Sequence, residues 1–124
     1  MSKPTEAELE VLQVLWKQGA STVKKVHEAL ASTKEVGYTT TLKIMQNMFE
    51  KKLVQRKPSG RSHIYEAIVS EEATQKKLLD RFLQTAFGGS AMKLVMQALG
   101  NHTATKEEIE SIRKILNKQE GGKR

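Results

Sequence analysis

The stretch YTTTLKIMQNMFEKKLVQRKPSGRSHIYEAI, residues 38–68, decides the fold because its hydrophobic periodicity changes part-way along. In its first half, small or apolar residues recur at the i, i+3, i+4, i+7 spacing that is typical of a helix with one buried face. The spacing predicts a helix that begins near Tyr38 or Thr39 and ends near Lys52. Its inward stripe consists of Thr41, Ile44, Met45 and Met48.

The second half of the same stretch has the period of a β-strand. Apolar and polar residues alternate over 53–57 and again over 63–68. The segment between them, Pro58-Ser59-Gly60-Arg61-Ser62, is made of turn-forming residues. Together these features predict a β-hairpin directly after the helix.

Two further helices are expected ahead of this stretch. Thr5 as N-cap and Glu8 three residues later form a capping box, and Gly19 ends the first helix. The second helix is expected to begin at Ser21 or Thr22. Three helices followed by a hairpin is the order of elements in a winged helix. The apolar faces of the two helices are Leu9, Leu12, Leu15 and Trp16, and Val23, Val26 and Leu30.

The C-terminal part of the chain is expected to form three short helices. Gly88-Gly89 separates the first two, and a second capping box at Thr105 and Glu108 opens the last. The predicted fold class is mainly α (α+β). It combines a winged helix-turn-helix DNA-binding domain at 1–70 with a helical dimerisation domain at 71–124.

These C-terminal helices predict a homodimer. Helices of this length are only marginally stable alone, and these have no other element to pack on. We expect them to interlock with the same helices of a second chain, and the alternative is that they fold back on the winged helix. The residues predicted to form the dimer interface are Leu78, Leu79, Phe82, Leu83, Phe87, Leu94, Val95, Leu99, Ile109, Ile112 and Leu116.

Composition excludes several classes of protein. The 124 residues contain no cysteine, so disulfides, thiolate metal sites and cysteine nucleophiles are absent. No stretch approaches the roughly 20 apolar residues that cross a bilayer, and no signal peptide is evident. The expectation is a cytoplasmic protein without membrane insertion. Its net charge of +7 implies a polyanionic partner.

Catalytic and cofactor sites are not expected. His27, His63 and His102 are scattered without metal-ligand spacing, and no glycine-rich phosphate loop is present. The chain is therefore predicted to be no enzyme and to hold no metal and no cofactor. The methionines Met45, Met48, Met92 and Met96 are interpreted as core filler.

Basic residues concentrate at the end of the third helix and on the hairpin. Residues 51–63 contain five Lys or Arg and no Asp or Glu. A charge run alone is more often a solvated surface, but its position beside a predicted recognition helix favours contact with DNA phosphates. The predicted backbone contacts are Tyr38, Lys51, Lys52, Arg56, Lys57, Arg61, Ser62 and His63.

The outward side of the third helix carries residues that can read bases. Side chains in the first turns of such a helix face base edges when it docks in the major groove. Gln46 can pair bidentately with adenine, and Lys43 can reach guanine or phosphate. For Thr39, N-capping of the helix is an equal alternative. The predicted base readers are Thr39, Thr40, Lys43, Gln46 and Asn47.

Six segments in a defined order together span most of the chain. They are TEAELEVLQVLW (5–16), YTT (38–40), EKKLV (50–54), GRSHIY (60–65), FGGS (87–90) and EEIE (107–110). In this order and spacing, the chain resembles the BlaI/MecI/CopY family of repressors. The resemblance implies a homodimer that binds inverted-repeat operators and represses resistance or stress genes.

The resemblance also implies mechanisms of induction, and the sequence features that they need are missing here. In the penicillinase-repressor branch, a membrane sensor-protease triggers cleavage of an Asn–Phe pair in the helix after the two glycines. The matching stretch 95–99 reads VMQAL and lacks that pair at Gln97-Ala98. The copper branch senses metal through C-terminal cysteines, which are absent here. Lys52 and Asn47 stand where the family usually has Gly and commonly Arg.

Three other functions compete with the repressor hypothesis. RNA binding is disfavoured because a winged helix with few exposed aromatic residues is poorly equipped to stack unpaired bases. A winged helix can act as a protein-interaction module, but such a module has no need of basic residues concentrated on its hairpin. A non-specific architectural DNA-binding protein needs the same charge without base readers. Selectivity for one DNA sequence separates this last alternative from a repressor.

Overall fold

The computed structural model describes residues 3–121. The order of elements is three helices, a hairpin and three more helices, which confirms the predicted fold class. A two-residue strand lies between the first two helices and was not predicted. The elements are α1 (Glu6–Gln18), β1 (Ser21–Thr22), α2 (Val23–Ala31), α3 (Tyr38–Glu50), β2 (Val54–Ser59), β3 (Ser62–Ala67), α4 (Glu71–Phe87), α5 (Ala91–Asn101) and α6 (Lys106–Gly121).

The chain divides into two compact units, Met1–Leu78 and Leu79–Arg124. The division falls inside α4, because the first two turns of that helix belong with the winged helix. The functional boundary between residues 70 and 71 stays a prediction about which residues bind DNA and which dimerise.

The capping residues explain where α1 begins and ends and where α2 begins. The Thr5 hydroxyl accepts a hydrogen bond from the Glu8 N–H at 3.1 Å, and the Glu8 carboxylate accepts one from the Thr5 N–H at 2.9 Å. This is the predicted capping box. Gly19 ends α1 with a φ of 83°, a conformation that favours glycine. Thr22 caps α2 through the Lys25 N–H, so that α2 begins at Val23.

The three strands form an antiparallel sheet in the order β1-β3-β2. Ser21 pairs with Tyr65 on one side of β3, and β2 pairs along its other side until Ser59 meets Ser62. The hairpin loop is therefore only Gly60-Arg61. Gly60 has a φ of 63°, as a two-residue hairpin with glycine at its first loop position requires. Pro58 lies on the edge strand β2, where a missing N–H is tolerated.

The hydrophobic core joins α1, α2, α3 and the hairpin. One directed bond adds to it: the Trp16 indole N–H donates to the Val69 carbonyl at 3.0 Å, which ties α1 to the chain entering α4. Most of the predicted inward faces are buried, while Ile44 is half-buried against the core. The core residues are Val11, Leu12, Leu15, Val23, Val26, Leu30, Met45, Met48, Leu53, Val54 and Tyr65.

The junction between α3 and the hairpin is tighter than predicted. The helix ends at Glu50, two residues before the predicted end at Lys52. Lys52 has a φ of 66°, its N–H donates to Phe49 at 3.1 Å, and the Leu53 N–H donates to Met48 at 2.9 Å. This pair of bonds is a Schellman motif, which usually places glycine at the left-handed position. The turn buries Leu53 directly after the helix.

The second unit contains no buried residue among positions 79–120. The second predicted capping box is present, with Thr105 and Glu108 exchanging bonds of 2.9 and 3.1 Å at the start of α6. Met92 and Met96, interpreted from the sequence as core filler, are 70% and 64% exposed. That interpretation is wrong for the single chain, because both side chains are largely uncovered in it.

Candidate nucleic-acid interface

The exposed side of α3 carries all the predicted base readers. The opposite side is anchored in the core by Thr41, Met45 and Met48, which are fully buried. This anchoring fixes which side chains α3 presents outward along its length. The exposed residues are Thr39, Thr40, Lys43, Gln46 and Asn47.

The start of α3 leaves Thr39 available for contact. The N-cap of the helix is Gly37, and no side chain makes a capping hydrogen bond there. Thr41 instead donates its hydroxyl to the Gly37 carbonyl at 3.2 Å. The alternative that Thr39 serves as the N-cap is therefore wrong, since Thr39 is the second helical residue and is exposed.

Tyr38, the first residue of α3, packs against α2 while remaining 48% exposed. Its ring meets His27 edge-on, with centroids 5.8 Å apart and planes 77° apart. The Nδ1 atom of His27 is buried and makes no hydrogen bond within the described residues. The contact restricts the Tyr38 ring at the end of α3 that carries the first base readers.

The hairpin presents polar and basic side chains near its tip. Lys57 on β2 and Arg61 in the loop are exposed, as are Ser62 and His63 at the start of β3. The His63 ring also lies edge-on to Tyr65, at 6.4 Å between centroids. These four predicted phosphate contacts therefore share one exposed hairpin end.

Lys51 differs from the other predicted phosphate contacts because its amine is already paired. Its Nζ lies 2.7 Å from the carboxylate of Glu8, which is only 5% exposed. The same Glu8 oxygen accepts the Thr5 N–H of the capping box. Lys51 thus connects the end of α3 to the beginning of α1, and no signal in the sequence pointed to this pairing.

Arg56, which is half-buried, also has partners within the domain. Its guanidinium carbon lies 3.9 Å from the centroid of the Phe49 ring, and its Nη1 donates to the Tyr65 hydroxyl at 3.3 Å. Lys52, by contrast, is exposed at the left-handed turn. Within residues 3–121, no salt bridge involves Lys43, Lys52, Lys57 or Arg61.

Two lysines at the start of α2 were missed by sequence reasoning. Lys24 and Lys25 are exposed in the first turn of that helix, two and three residues after its cap Thr22. Two adjacent lysines behind a capping residue were a readable signal.

The residues that the structure describes show neither a metal cluster nor a membrane span. Positions 3–121 contain no group of three or more His, Asp or Glu side chains arranged to hold a metal ion. Over the same range, every helix is too short or too polar to cross a bilayer.

Comparison with known proteins gives the family. The model of the penicillinase repressor family matches residues 4–118. The chain belongs to this family. The predicted resemblance is thereby confirmed, and so is the prediction of a transcriptional repressor, because the penicillinase repressor family consists of repressors and not of enzymes.

Two curated relatives of this penicillinase repressor family member match along most of their length. The methicillin resistance regulatory protein MecI of Staphylococcus aureus (strain N315) is 24% identical over 115 residues, which cover 93% of this chain and 94% of that protein. The transcriptional regulator BlaI of Mycobacterium tuberculosis (strain ATCC 25618 / H37Rv) is 27% identical over 119 residues, which cover 94% and 85%.

A solved structure supports the fold of the N-terminal unit. The solution structure of the DNA-binding domain of the repressor BlaI superposes with a TM-score of 0.52 at 25% identity. The match covers 56% of this chain and 88% of that domain. The penicillinase repressor fold seen here is thus that of a known DNA-binding domain.

Proposed function

We propose that this chain is a homodimeric repressor that binds inverted-repeat operator DNA, with α3 of each copy in a major groove. One observation carries the proposal: exposed base-reading side chains on α3 are followed along the chain by an exposed basic hairpin. A duplex presents a phosphate about every 1.7 Å of its axis, and cations beside the groove release its counterions. The arrangement therefore suits a helix in the groove and a hairpin on the backbone.

The proposed division of labour follows from side-chain chemistry. Gln46 has both a donor and an acceptor and suits adenine, and Lys43 suits guanine or a phosphate. Thr39 and Thr40 can donate or accept, and their methyl groups suit thymine. Asn47 completes this set. Contacts to the backbone are proposed for Tyr38, Lys52, Lys57, Arg61, Ser62 and His63, whose side chains are exposed.

Dimerisation is supported by the uncovered apolar side chains of the second unit. Phe82 is 52% exposed, Leu116 is 61% exposed and Ile115 is 60% exposed. Exposed apolar side chains in this number are costly in water and mark association surfaces. A two-fold dimer also fits an inverted repeat, because each half-site then meets an identical α3.

The proposal is tested by titrating labelled duplexes with the purified protein at several salt concentrations. DNA from the region upstream of its own gene should bind more tightly than a shuffled duplex, and binding should weaken steeply with salt. Gln46→Ala should cost about 1–3 kcal/mol and relax preference at one base pair of each half-site.

A hairpin variant and a matched control separate charge from sequence reading. Arg61→Ala should weaken binding to all duplexes alike and lower the salt slope by about 0.9 for each phosphate that it no longer neutralises. Gln55→Ala, a neutral exposed position on β2, should change neither. Equal binding to all duplexes would favour the architectural protein, and absence of DNA binding would favour the protein-interaction module.

The release of repression is a separate proposal. A membrane sensor-protease is proposed as a partner on the family resemblance alone, and cleavage at an Asn–Phe bond is not part of the proposal, because residues 95–99 lack that pair. Co-expression with the product of a neighbouring sensor gene and mass analysis of the fragments tests this. An intact chain under inducing conditions would contradict it.

A further inference from the structure

Arg56 contacts the recognition helix and both strands of the hairpin. It lies on β2, where its backbone pairs with Tyr65 of β3. Its guanidinium stacks on Phe49, in the last turn of α3, with 3.9 Å between the central carbon and the ring centroid. Its Nη1 donates to the Tyr65 hydroxyl at 3.3 Å. One side chain thus bridges three elements.

Both aromatic partners are themselves fixed. Tyr65 is 1% exposed and is one of the largest fully buried side chains. Phe49 is half-buried and packs against the core. A planar guanidinium can stack on the Phe49 ring and, within its own plane, donate a hydrogen bond to the Tyr65 hydroxyl. A lysine ammonium lacks that flat surface. The site is therefore shaped for arginine.

The neighbouring basic residues are arranged differently. Lys57, the next residue on β2, is exposed, and so is Arg61 in the hairpin loop. Within residues 3–121, neither makes a side-chain hydrogen bond or a salt bridge of the kind that holds Lys51. Only Arg56, among these three, has its charged group engaged by aromatic side chains of the domain.

We propose that Arg56 is a positioning residue that holds the hairpin at a set angle to α3, so that both reach the DNA together. This inference rests on the proposed function. The backbone between α3 and β2 is three residues long, and the adjoining hairpin has a free edge at β2. The core residues of the hairpin hold its base, and without the Arg56 contact the rest of the hairpin has more freedom to lose on binding, which weakens the complex.

The proposal predicts a weaker complex with an unchanged salt slope. Arg56→Ala should weaken operator binding about 3- to 30-fold, the range that corresponds to cation–π contacts from exposed to desolvated sites. The number of ions released should stay the same, because Arg56 itself neutralises no phosphate. Arg56→Lys should not restore affinity, since it keeps the charge and removes the stack.

Two further variants approach the same cluster from its aromatic side. Tyr65→Phe removes the acceptor hydroxyl and keeps the buried ring, and Phe49→Leu removes the ring face and keeps an apolar residue. Each should weaken binding without changing the slope, and each should have a smaller effect when Arg56 is already Ala. Melting temperatures identify any variant that has failed to fold, and in that case Tyr65→Phe carries the test.

Hydrogen exchange of the free protein gives a readout that does not depend on DNA. Arg56→Ala should speed exchange of the β2 and β3 amides and leave α1 amides unchanged. Lys57→Ala is the matched control: exchange should stay as in the wild type, and the salt slope should fall by about 0.9 for each phosphate that Lys57 neutralises.

Several outcomes would overturn the inference while leaving the repressor proposal intact. They are a lower salt slope in Arg56→Ala, full affinity in Arg56→Ala or Arg56→Lys, and unchanged hairpin exchange. Failure of the wild-type protein to select one duplex over another would instead overturn the proposed function. The two failures are therefore distinguishable in the same set of titrations.

Discussion

Lys52 occupies a backbone conformation that suits glycine. Its φ of 66° is the only positive value outside glycine among the described residues. A side chain in this conformation costs about 1–2 kcal/mol, and strain of this kind is often kept where the residue has a role. Lys52 is exposed between the proposed recognition helix and the hairpin. A contact between its amine and a DNA phosphate would offset the conformational free energy.

Replacing Lys52 by Gly should separate stability from DNA binding. Lys52→Gly removes the strain but adds freedom to the unfolded chain, so we expect a net gain of roughly 0.5–1 kcal/mol in unfolding free energy. DNA binding should weaken, with a salt slope lower by about 0.9 for each phosphate left without its cation. Thermal denaturation and salt-dependent titration measure the two effects.

Lys52→Arg and Lys52→Asn are the controls for this prediction. Arginine keeps the charge and the strain, so both stability and binding should resemble the wild type. Asparagine tolerates the left-handed conformation but is neutral, so it should bind as the glycine variant does. Equal affinity of the Gly and Arg variants would show that the strain has no link to DNA contact.

At the scale of the elements, the Lys51–Glu8 pair joins the end of α3 to the start of α1. Lys51→Met should lower the unfolding free energy by about 1–3 kcal/mol, because it leaves a nearly buried carboxylate without its cation. DNA affinity and salt slope should stay close to the wild type at temperatures where the variant is folded. Denaturant unfolding and duplex titration measure these quantities.

The double variant Lys51→Met with Glu8→Gln is the matched control. Glutamine keeps an acceptor for the Thr5 N–H and carries no charge, so part of the missing stability should return. A lower salt slope in Lys51→Met, with stability unchanged, would instead mean that this amine contacts DNA.

The elements that sequence could predict are those with a sustained period or a cap. α1, α3 and the hairpin were predicted for this reason, and the Thr5–Glu8 and Thr105–Glu108 boxes fixed two helix starts. β1 was missed because two residues have no period. The predicted end of α3 is two residues too late. A glycine at the left-handed position of the Schellman turn would have indicated the helix end in the sequence, but Lys52 occupies that position.

The candidate site was predictable as a set of exposed faces but not as a set of contacts. The period of α3 separates Gln46 and Asn47 from the buried Met45 and Met48, as observed. A run of positive charge does not reveal which of its members have partners elsewhere in the fold. Glu8 lies 43 residues from Lys51 along the chain, so that pair needed the tertiary structure.

At the scale of the whole molecule, the two units differ in how they bury apolar surface. The winged helix has a closed core, whereas positions 79–120 contain no buried residue. None of the residues predicted for the dimer interface is buried within one chain. Leu78, Leu83, Phe87, Leu94 and Ile112 are half-buried, and Leu79, Phe82, Val95, Leu99, Ile109 and Leu116 are exposed.

A charge placed among these residues should separate the two copies. Phe82 is 52% exposed and packs edge-on against Phe87, with 5.6 Å between ring centroids. Phe82→Asp would bury an unpaired carboxylate in the proposed interface, so the mass in solution should fall from twice 13.9 kDa to 13.9 kDa. Operator affinity should fall about 10²- to 10⁴-fold, because the second α3 is no longer tethered to the first.

Gln84→Asp is the control, because it adds the same charge on the opposite side of α4. Successive residues turn by about 100° around a helix, so a position two residues on faces away from Phe82. This variant should remain a dimer and bind the operator as the wild type does. Light scattering gives the mass, and circular dichroism verifies that both variants keep their helices.

A wild-type monomer of 13.9 kDa that binds its operator tightly would contradict the dimer. The apolar side chains of α4, α5 and α6 would then have to be covered in some other way.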